Sequence, residues 1–252
     1  MLIVLLCTFS LLAGFIDSVV GGGGLIQIPA MLILLPGTSV ATILGTNKFA
    51  SCAGTAIAVQ RYARQVEIDW STVAPAALCA FAFSFLGSAA VTLLNTAFLR
   101  PIVLVLLIVV AVYVFFVKDL GLIHQPKHAP KKAQWLGIFI GAGLGFYDGF
   151  FGPGTGSFLI FLFVGVFGFD FLSASASAKV INLATNVASV IYFAGSGHII
   201  YQYAAPMALC NVLGSALGTR LAIAKGSRFV RIFFLVIVCA LIAKLAQSII
   251  AP

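Results

Sequence analysis

The sequence predicts an all-α polytopic membrane protein made of two inverted-topology repeats. Three observations support this prediction: a composition of 62% hydrophobic and 8% charged residues, apolar stretches of about 17 to 24 residues along nearly the whole chain, and a long internal repeat. Soluble domains carry about 25% charged residues, and a membrane barrel would alternate polar and apolar residues in segments of about ten. We expect about five membrane segments per half, of which the second is short and follows a Gly-rich break.

The internal repeat spans half of the chain. Its motif, Gly-Phe-x-Asp-x-x-x-Gly-x-Gly, occupies residues 14–23 and returns at residues 145–154, and the shift of 131 positions continues without a gap. Equivalent pairs along this shift include Lys48 and Lys179, Pro75 and Pro206, Ser84 and Ser215, Gly87 and Gly218, and Arg100 and Arg231. A repeat this long indicates a duplicated domain rather than a solenoid. In so apolar a chain, the duplicated unit is typical of half a membrane transporter.

The repeat divides the chain into three parts. They are an N-terminal transmembrane repeat at 1–117, a basic cytoplasmic linker at 118–134 and a C-terminal transmembrane repeat at 135–252. The predicted segments are 2–20, 25–35, 39–60, 71–94 and 101–117 in the first half, and 135–151, 157–168, 173–193, 204–220 and 231–250 in the second. The second segment of each half rises only about 16–18 Å, which is too short for a hydrocarbon core of about 30 Å. We therefore expect it to form a hairpin or a discontinuous helix with the preceding segment.

Loop charges predict the orientation of these segments. Three predicted loops hold ten cations: Arg61 and Arg64; Lys118, Lys127, Lys131 and Lys132; and Arg220, Lys225, Arg228 and Arg231. The positive-inside rule places these loops in the cytoplasm. The loop at 194–203 has no Lys or Arg, and the loop at 95–100 has only Arg100, so both are expected outside. Equivalent loops thus lie on opposite sides, which indicates inverted topology with both termini outside and the linker inside.

Other classes of protein are disfavoured. The net charge of +8 comes from cations that flank membrane segments, so nucleic acid is not an expected partner. The five cysteines lie in apolar runs without metal-ligand spacing and the three histidines do not cluster, so neither a metal nor another cofactor is expected. An intramembrane enzyme would need a nucleophile–base pair or a metal cluster, and the sequence shows neither pattern. The first twenty residues carry Phe15 and Asp17 of the repeat and lack a basic leading region, so we expect them to be retained.

Two lysines lie deep inside apolar segments. Lys48 stands in Leu-Gly-Thr-Asn-Lys-Phe-Ala-Ser and Lys179 in Ser-Ala-Ser-Ala-Lys-Val-Ile-Asn. An intramembrane lysine costs about 2.5–3.5 kcal/mol on insertion scales, so it usually faces a cavity or a partner. Snorkelling toward the membrane surface is the alternative. Because the two lysines are equivalent in the repeat, we expect them to approach from opposite halves and form a cationic site for a small oxyanion.

Neutral polar residues and glycines lie close to both lysines. The glycine runs at 21–24 and 152–156 interrupt the helices, and each precedes a short apolar helix whose N-terminal N–H groups would favour an anion. Hydrogen bonding between helices and close packing through glycine are the alternatives. The predicted substrate-binding residues are Lys48, Lys179, Asn47, Thr46, Ser51, Asn182, Asn186, Gly23, Gly24, Gly154 and Thr155.

Asp17 and Asp148 stand one helical turn before the glycine runs. One role for them is structural or gating, in which each carboxylate pairs with a lysine. The other is coupling, in which a carboxylate carries a proton linked to transport. Sequence alone does not decide between the two roles, because burial and a neighbouring lysine act on a carboxyl group in opposite directions.

The chain resembles the sulfite exporter TauE/SafE family of membrane permeases along essentially its whole length. The resemblance is in the duplicated Gly-rich motif, in Leu-Gly-Thr-Asn-Lys-Phe at 44–49, and in the loop with Arg-Tyr-x-Arg at 61–64 and Ile-Asp-Trp at 68–70. It implies transport of a sulfur-containing anion, such as sulfite, a sulfonate or another organosulfur compound, through the bacterial inner membrane. The halves differ at Pro153 against Gly22 and at 177–178 against 46–47, which suits an asymmetric substrate.

The predicted function is secondary transport of such an anion by alternating access at a midplane site between the repeats. An anion channel of the same fold and a non-transporting membrane assembly protein are the alternatives. The expected partners are the small anion and the lipid bilayer. The sequence leaves open which anion moves, in which direction, with which coupling ion, and whether the chain forms a homo-oligomer.

Overall fold

The computed structural model of the chain describes residues 1–93 and 123–250, and every regular element within these ranges is helical. The helices are α1 (Leu2–Val20), α2 (Gly24–Leu34), α3 (Val40–Ala63), α4 (Trp70–Val91), α5 (Pro130–Phe150), α6 (Thr155–Leu162), α7 (Phe171–Gly195) and α8 (Tyr201–Ile250). A π-helical turn, Phe163–Phe167, continues α6. The all-α fold predicted from the sequence is therefore confirmed. The predicted segment at 101–117 lies outside the described residues.

The helices repeat with the same spacing as the sequence. α2, α3 and α4 begin at residues 24, 40 and 70, and α6, α7 and α8 begin 131 positions later. The start of the third helix is capped in both halves, since Ser39 accepts the N–H of Thr42 at 3.2 Å and Asp170 accepts the N–H of Leu172 at 2.9 Å. A side-chain oxygen at this position satisfies an N–H that the helix leaves unpaired. The duplication is thus visible in helix boundaries as well as in residue types.

The second helix of each half is short, as predicted. α2 has eleven residues and is only about 16 Å long. α6 has eight residues, and with its π-helical continuation of five it remains shorter than about 20 Å. Glycines with positive φ precede both: Gly21 ends α1 with φ 77°, and Gly154 precedes α6 with φ 89°. Because L side chains are strained in this conformation, glycine is the residue that allows the chain to break there.

The region around residues 220–231 differs from the predicted loop. Two helical stretches of α8 meet there at Gly226, whose φ of 71° and ψ of −171° break the helix. The hydroxyl of the next residue, Ser227, donates to Asp170 at 2.5 Å, so the kink in α8 is attached to the start of α7. Burial opposes ionisation of Asp170, but hydrogen bonds from Ser173, Ser227 and backbone N–H groups hold the pKa of its carboxyl group below the usual value. α5 begins at Pro130, within the stretch 118–134 that was predicted to be the linker.

The two halves interlock rather than lying side by side. The first helix of each half packs along the fourth helix of the other half, so α1 lies against α8 and α5 lies against α4. Small residues permit the close approach: a Cβ added at Gly14 would lie 2.3 Å from the carbonyl oxygen of Asn211, and one added at Gly145 would lie 2.6 Å from the Cα of Ala80. These contacts are equivalent in the repeat. Glycine at such positions brings helix backbones together, as in other membrane proteins.

The long helices differ in polarity according to their position. Within the described residues, Leu2–Val20, Trp70–Val91 and Tyr201–Ile237 are long and apolar enough to cross a membrane. α3 and α7, with 24 and 25 residues, are long enough but more polar. These two helices pack against each other and against α8 and α4. The apolar helices therefore shield the polar helices from lipid, which is the arrangement expected for intramembrane charges.

The close approach of α5 and α4 can be tested with two glycines of α5. We expect Gly145→Ala to destabilise the protein by about 1–3 kcal/mol, the usual cost of overpacking, because its Cβ would lie 2.6 Å from the backbone of Ala80. Gly143→Ala is the control, since no atom lies within 4 Å of a Cβ added there. It should leave stability unchanged or raise it by up to about 1 kcal/mol through helix propensity. Thermal unfolding in detergent measures both, and equal melting temperatures for the two variants would contradict the packing.

Candidate functional site

Two ion pairs join the halves at the centre of the bundle. Lys48, in the middle of α3, donates from Nζ to Asp148 Oδ2 near the end of α5 at 2.5 Å. Lys179, in α7, donates from Nζ to Asp17 Oδ2 near the end of α1 at 2.8 Å. In each pair the lysine comes from the third helix of one half and the aspartate from the first helix of the other half. The repeat relates one pair to the other.

Both pairs are withdrawn from the surface. The exposed fractions of the side chains are 5% for Lys48 and 7% for Asp148, and 0% for Lys179 and 23% for Asp17. Neither ammonium group reaches the membrane surface, so snorkelling does not describe either lysine. Removing one partner from a buried pair leaves an uncompensated charge and typically costs about 3–5 kcal/mol. The two pairs therefore hold the halves together only while each charge keeps a counter-charge.

A second set of equivalent contacts, two hydrogen bonds, also joins the halves. The hydroxyl of Ser84 in α4 donates to the carbonyl of Thr185 in α7 at 3.0 Å. Its repeat equivalent, Ser215 in α8, donates to the carbonyl of Gly54 in α3 at 2.6 Å. The fourth helix of each half is thus fixed to the third helix of the other half, on the side of the ion pairs. This positions α3 and α7 next to each other.

A small cavity of about 30 Å³ lies between the ion pairs, which is room for a water molecule or two. Every residue that lines it is charged, polar or glycine: Asp17, Gly21, Gly24, Asn47, Lys48, Ser51, Asp148, Gly152, Gly156, Asn182 and Asn186. The wall of the cavity includes both aspartates of the ion pairs but only one of the two lysines, Lys48. Lys179 is fully buried and bonded to Asp17, which itself reaches the cavity.

Three asparagine amides add hydrogen-bonding groups to the cavity. Asn182 and Asn186 stand one turn apart on α7, and Asn186 donates to the hydroxyl of Thr55 at 3.4 Å. Asn47 is adjacent to Lys48, and its Oδ1 is buried without a hydrogen-bond partner among the described residues. Turning this amide over exchanges the oxygen for two N–H donors. Asn47 is therefore available to a ligand in either orientation.

The two glycine runs cross at the edge of this cavity. Gly21 and Gly156 touch, and a Cβ added to Gly21 would lie 2.2 Å from the carbonyl carbon of Gly156. Gly24, the first residue of α2, and Gly156, the second residue of α6, both line the cavity. The N-termini of both short helices therefore face it, where the helix dipole favours negative charge.

Some predicted site residues lie away from the cavity. The hydroxyl of Thr46 donates to the carbonyl of Thr42 at 2.7 Å and accepts the N–H of Ile200 at 3.1 Å, so it fixes α3 to the loop before α8. Thr155 donates to the carbonyl of Gly152 at 2.8 Å and stabilises the turn before α6. Gly23 and Gly154 belong to the same turns and do not line the cavity. Of the eleven residues predicted to bind substrate, the structure brings Lys48, Asn47, Ser51, Asn182, Asn186 and Gly24 to its wall.

Three cavity residues were not among the predicted contacts: Gly21, Gly152 and Gly156. Gly152 lies close to Lys48, since a Cβ added to it would be 3.4 Å from Nζ. Gly21 and Gly152 are equivalent positions of the repeated motif and both have positive φ. That equivalence was the signal in the sequence that could have identified them.

A larger groove of about 490 Å³ lies elsewhere, between the end of α3 and α8. It is lined by Arg61, Arg64, Gln65, Arg220, Ile223 and Ala224, most of which are exposed. These arginines belong to loops predicted to be cytoplasmic, where the positive-inside bias accounts for them. The central cavity is smaller, but it holds the buried charges, and we take it as the functional site.

The central site combines buried charges with hydrogen-bonding groups, a combination that suits reversible binding of a small ligand. It holds ammonium, amide, hydroxyl and backbone N–H groups at short range. No group of three or more His, Cys, Asp and Glu side chains that could hold a metal occurs in the part of the chain that the structure describes. Reversible binding is therefore the chemistry that these residues support.

Comparison with known proteins agrees with this conclusion. The model of the sulfite exporter TauE/SafE family matches residues 6–245. ORF9 of Sinorhizobium, described as a probable membrane transporter protein, is 35% identical over 244 residues, which cover 97% of this chain and 92% of that protein. The probable membrane transporter protein YfcA of Escherichia coli is 33% identical over 236 residues, covering 94% of this chain and 86% of its own length.

A probable membrane transporter protein of Haemophilus influenzae is 32% identical over 248 residues, which cover 98% of this chain and 95% of that protein. No solved structure matches the chain. The family match and these relatives cover nearly the entire sequence, including both ion pairs and the cavity between them. The chain therefore belongs to the sulfite exporter TauE/SafE family and is a multi-pass membrane transporter rather than an enzyme.

Proposed function

We propose that this protein is a secondary transporter that moves a small sulfur-containing anion, such as sulfite, a sulfonate or another organosulfur anion, across the bacterial inner membrane. The observation that carries the proposal is the polar cavity between two equivalent halves, beside two buried ion pairs that each join a lysine of one half to an aspartate of the other. The description of the matched family as sulfite exporters supports the choice of a sulfur anion.

The groups in the cavity suit an oxyanion. Sulfite and sulfonate oxygens accept hydrogen bonds, and the ammonium of Lys48, the amides of Asn47, Asn182 and Asn186, and the hydroxyl of Ser51 all offer donors. Charge-assisted bonds from an ammonium group are roughly twice as strong as neutral ones. In this conformation the cavity of about 30 Å³ is too small for an anion with several heavy atoms, so substrate entry requires the helices around it to move.

We propose that the interlocked halves move by alternating access. We propose that the division at 1–117, 118–134 and 135–252 separates two inverted repeats and their linker, with the termini in the periplasm and the linker in the cytoplasm. Substrate in such transporters binds between the repeats near the bilayer midplane, and rocking of one unit against the other exposes the site to each side in turn. Because each ion pair links the two halves, opening on one side would loosen one pair while the other keeps the halves together.

The two buried lysines provide the first test. We expect Lys48→Ala and Lys179→Ala each to reduce the flux of labelled sulfite in proteoliposomes by at least about tenfold, since each removes a charge that the site needs and leaves a buried carboxylate unpaired. Lys225→Ala is the matched control, because Lys225 is an exposed lysine of α8 and should transport like the parent protein.

The double variant Lys48→Ala/Asp148→Asn separates transport from folding. It removes both members of one ion pair and leaves no uncompensated charge, so we expect it to unfold close to the parent temperature while its transport stays low. Parental flux in both single-lysine variants would contradict the proposed site. A large unitary current in place of a slow, saturable flux would show a channel instead of a carrier.

The proposed orientation is tested by cysteine labelling in a background whose five native cysteines are replaced. Ser196 lies in the loop between α7 and α8, and Lys131 lies at the start of α5; both are exposed. We expect a membrane-impermeant maleimide to label Ser196→Cys in intact spheroplasts and Lys131→Cys only after lysis, because cationic loops are retained in the cytoplasm. The reverse labelling pattern would show the opposite orientation in the membrane. Equal labelling of both sites before lysis would contradict the proposal that they lie on opposite sides.

A further inference from the structure

We propose that the anion enters the central cavity together with one proton, and that Asp148 takes this proton. This inference rests on the proposed function of the same site and names its second transported species. It follows from the charges that surround the cavity, and from the difference between two ion pairs that the repeat makes equivalent.

The charges around the cavity already balance. Two ammonium groups face two carboxylates, and each lysine is bonded to one aspartate. Beyond these four, the lining residues are amides, a hydroxyl and glycines, which carry no formal charge. An anion added to this arrangement would therefore be an unpaired charge in a buried site, and such a charge costs several kcal/mol. Neutralising one carboxylate with a proton removes that cost.

The two ion pairs are not equally accessible to an anion in the cavity. Lys48 and Asp148 both line the cavity, so an anion can replace the carboxylate beside Lys48 without crossing another group. Lys179 is fully buried, does not line the cavity and is bonded to Asp17, which does line it. An anion in the cavity is therefore next to Asp17 and not next to the ammonium of Lys179. In this conformation the exchangeable pair is therefore Lys48–Asp148.

The exchange requires one proton transfer and no other reagent. A proton from water adds to a carboxylate oxygen of Asp148, which becomes a neutral carboxylic acid, and the charge of Lys48 is then free for the anion. Asn47 and Ser51, from the same helix as Lys48, and Asn182 and Asn186 from α7 complete the coordination. The pair of Asp17 and Lys179 keeps its charges. For a monovalent anion, the site is electrically neutral before and after binding.

Few other titratable groups face Asp148. Lys48 approaches it from α3, Asp17 of α1 lines the same cavity, and Lys179 of α7 is bonded to Asp17. The neighbouring Tyr147 uses its hydroxyl to donate to the carbonyl of Pro153 at 2.6 Å. α4 and α6, which also pack against α5, contain no Asp, Glu, Lys, Arg or His.

Joint entry of the anion and the proton makes a prediction for transport as well as for binding. One proton that moves with one monovalent anion in the same direction carries no net charge. The flux of such an anion should follow the pH gradient, and it should not change when the membrane potential is clamped with potassium and valinomycin.

The proton is counted by titration calorimetry of the parent protein in detergent. The probe is methanesulfonate, whose charge is the same at every pH used; sulfite itself takes up protons and would obscure the count. Heats measured in buffers with different ionisation enthalpies give the number of protons bound per anion, which we expect to be about one. The affinity should rise about tenfold for each pH unit of acidification, the slope for one linked proton.

Two variants then identify the carboxylate. Asp148→Asn imitates the protonated acid and leaves Lys48 free, so methanesulfonate should bind without proton uptake and independently of pH. Asp69→Asn is the control, because Asp69 is an exposed aspartate that caps α4 outside the cavity, and it should retain an uptake of about one proton. If either variant fails to fold, the proton count of the parent protein still decides whether the anion and the proton bind together.

Each outcome has a distinct meaning. Binding of methanesulfonate without proton uptake, or binding that requires sodium in place of a proton, would overturn this inference and leave the proposed transporter intact. Absence of binding at every pH would overturn both. Uptake of about one proton that persists in Asp148→Asn would overturn the assignment to Asp148.

Discussion

The structure depends on buried charges that are neutralised across the two halves of the chain. Lys48 and Lys179 sit where an isolated ammonium would be too costly, and each is stabilised by an aspartate from the opposite half. Neither half can satisfy its own lysine through these contacts. The ion pairs thus tie the two halves to each other, and they bring the third helices of both halves to the centre.

The remaining features of the fold allow this polar centre to exist in lipid. α3 and α7 carry the lysines and asparagines, and the apolar helices around them provide the surface toward the acyl chains. The equivalent glycines Gly14 and Gly145 let the backbones of α1 and α5 approach α8 and α4 to distances that any larger residue would prevent. Close packing keeps the cavity at about 30 Å³, so the charges face one another instead of a wide water-filled space.

The sequence predicted the helical fold, the short second helices and several residues around the cavity. It did not predict which distant residue each of these side chains contacts. Composition and the shift of 131 positions are properties of the chain itself, so they can be read without coordinates. The partner of Lys48 is 100 residues away, and local patterns do not show which helix will lie beside it. Thr46 illustrates the same limit, because its hydroxyl bonds to Ile200, a backbone contact that only tertiary packing creates.

The sharp break in α8, in place of a loop, has a related explanation. The sequence between residues 220 and 231 is rich in cations and was assigned to a loop, but only Gly226 leaves the helical conformation. Lys and Arg are good helix formers, and their long side chains can extend from a helix end into the headgroup region. Ser227 bonds to Asp170, which fixes the chain on the far side of the break. Charge alone therefore predicted a loop where the chain instead makes a sharp kink within α8.

Equivalent residues occupy unequal environments, and this has a consequence for the proposed cycle. Asp17 is 23% exposed and Asp148 only 7%, while Lys48 lines the cavity and Lys179 does not. A conformation in which the two halves exchanged these environments would contain the same kinds of contacts, so its free energy would lie close to that of the conformation described here. Two states of similar free energy are what a ligand needs in order to shift a population. The sequence differences between the halves, such as Pro153 against Gly22, would then set which state is favoured when the site is empty.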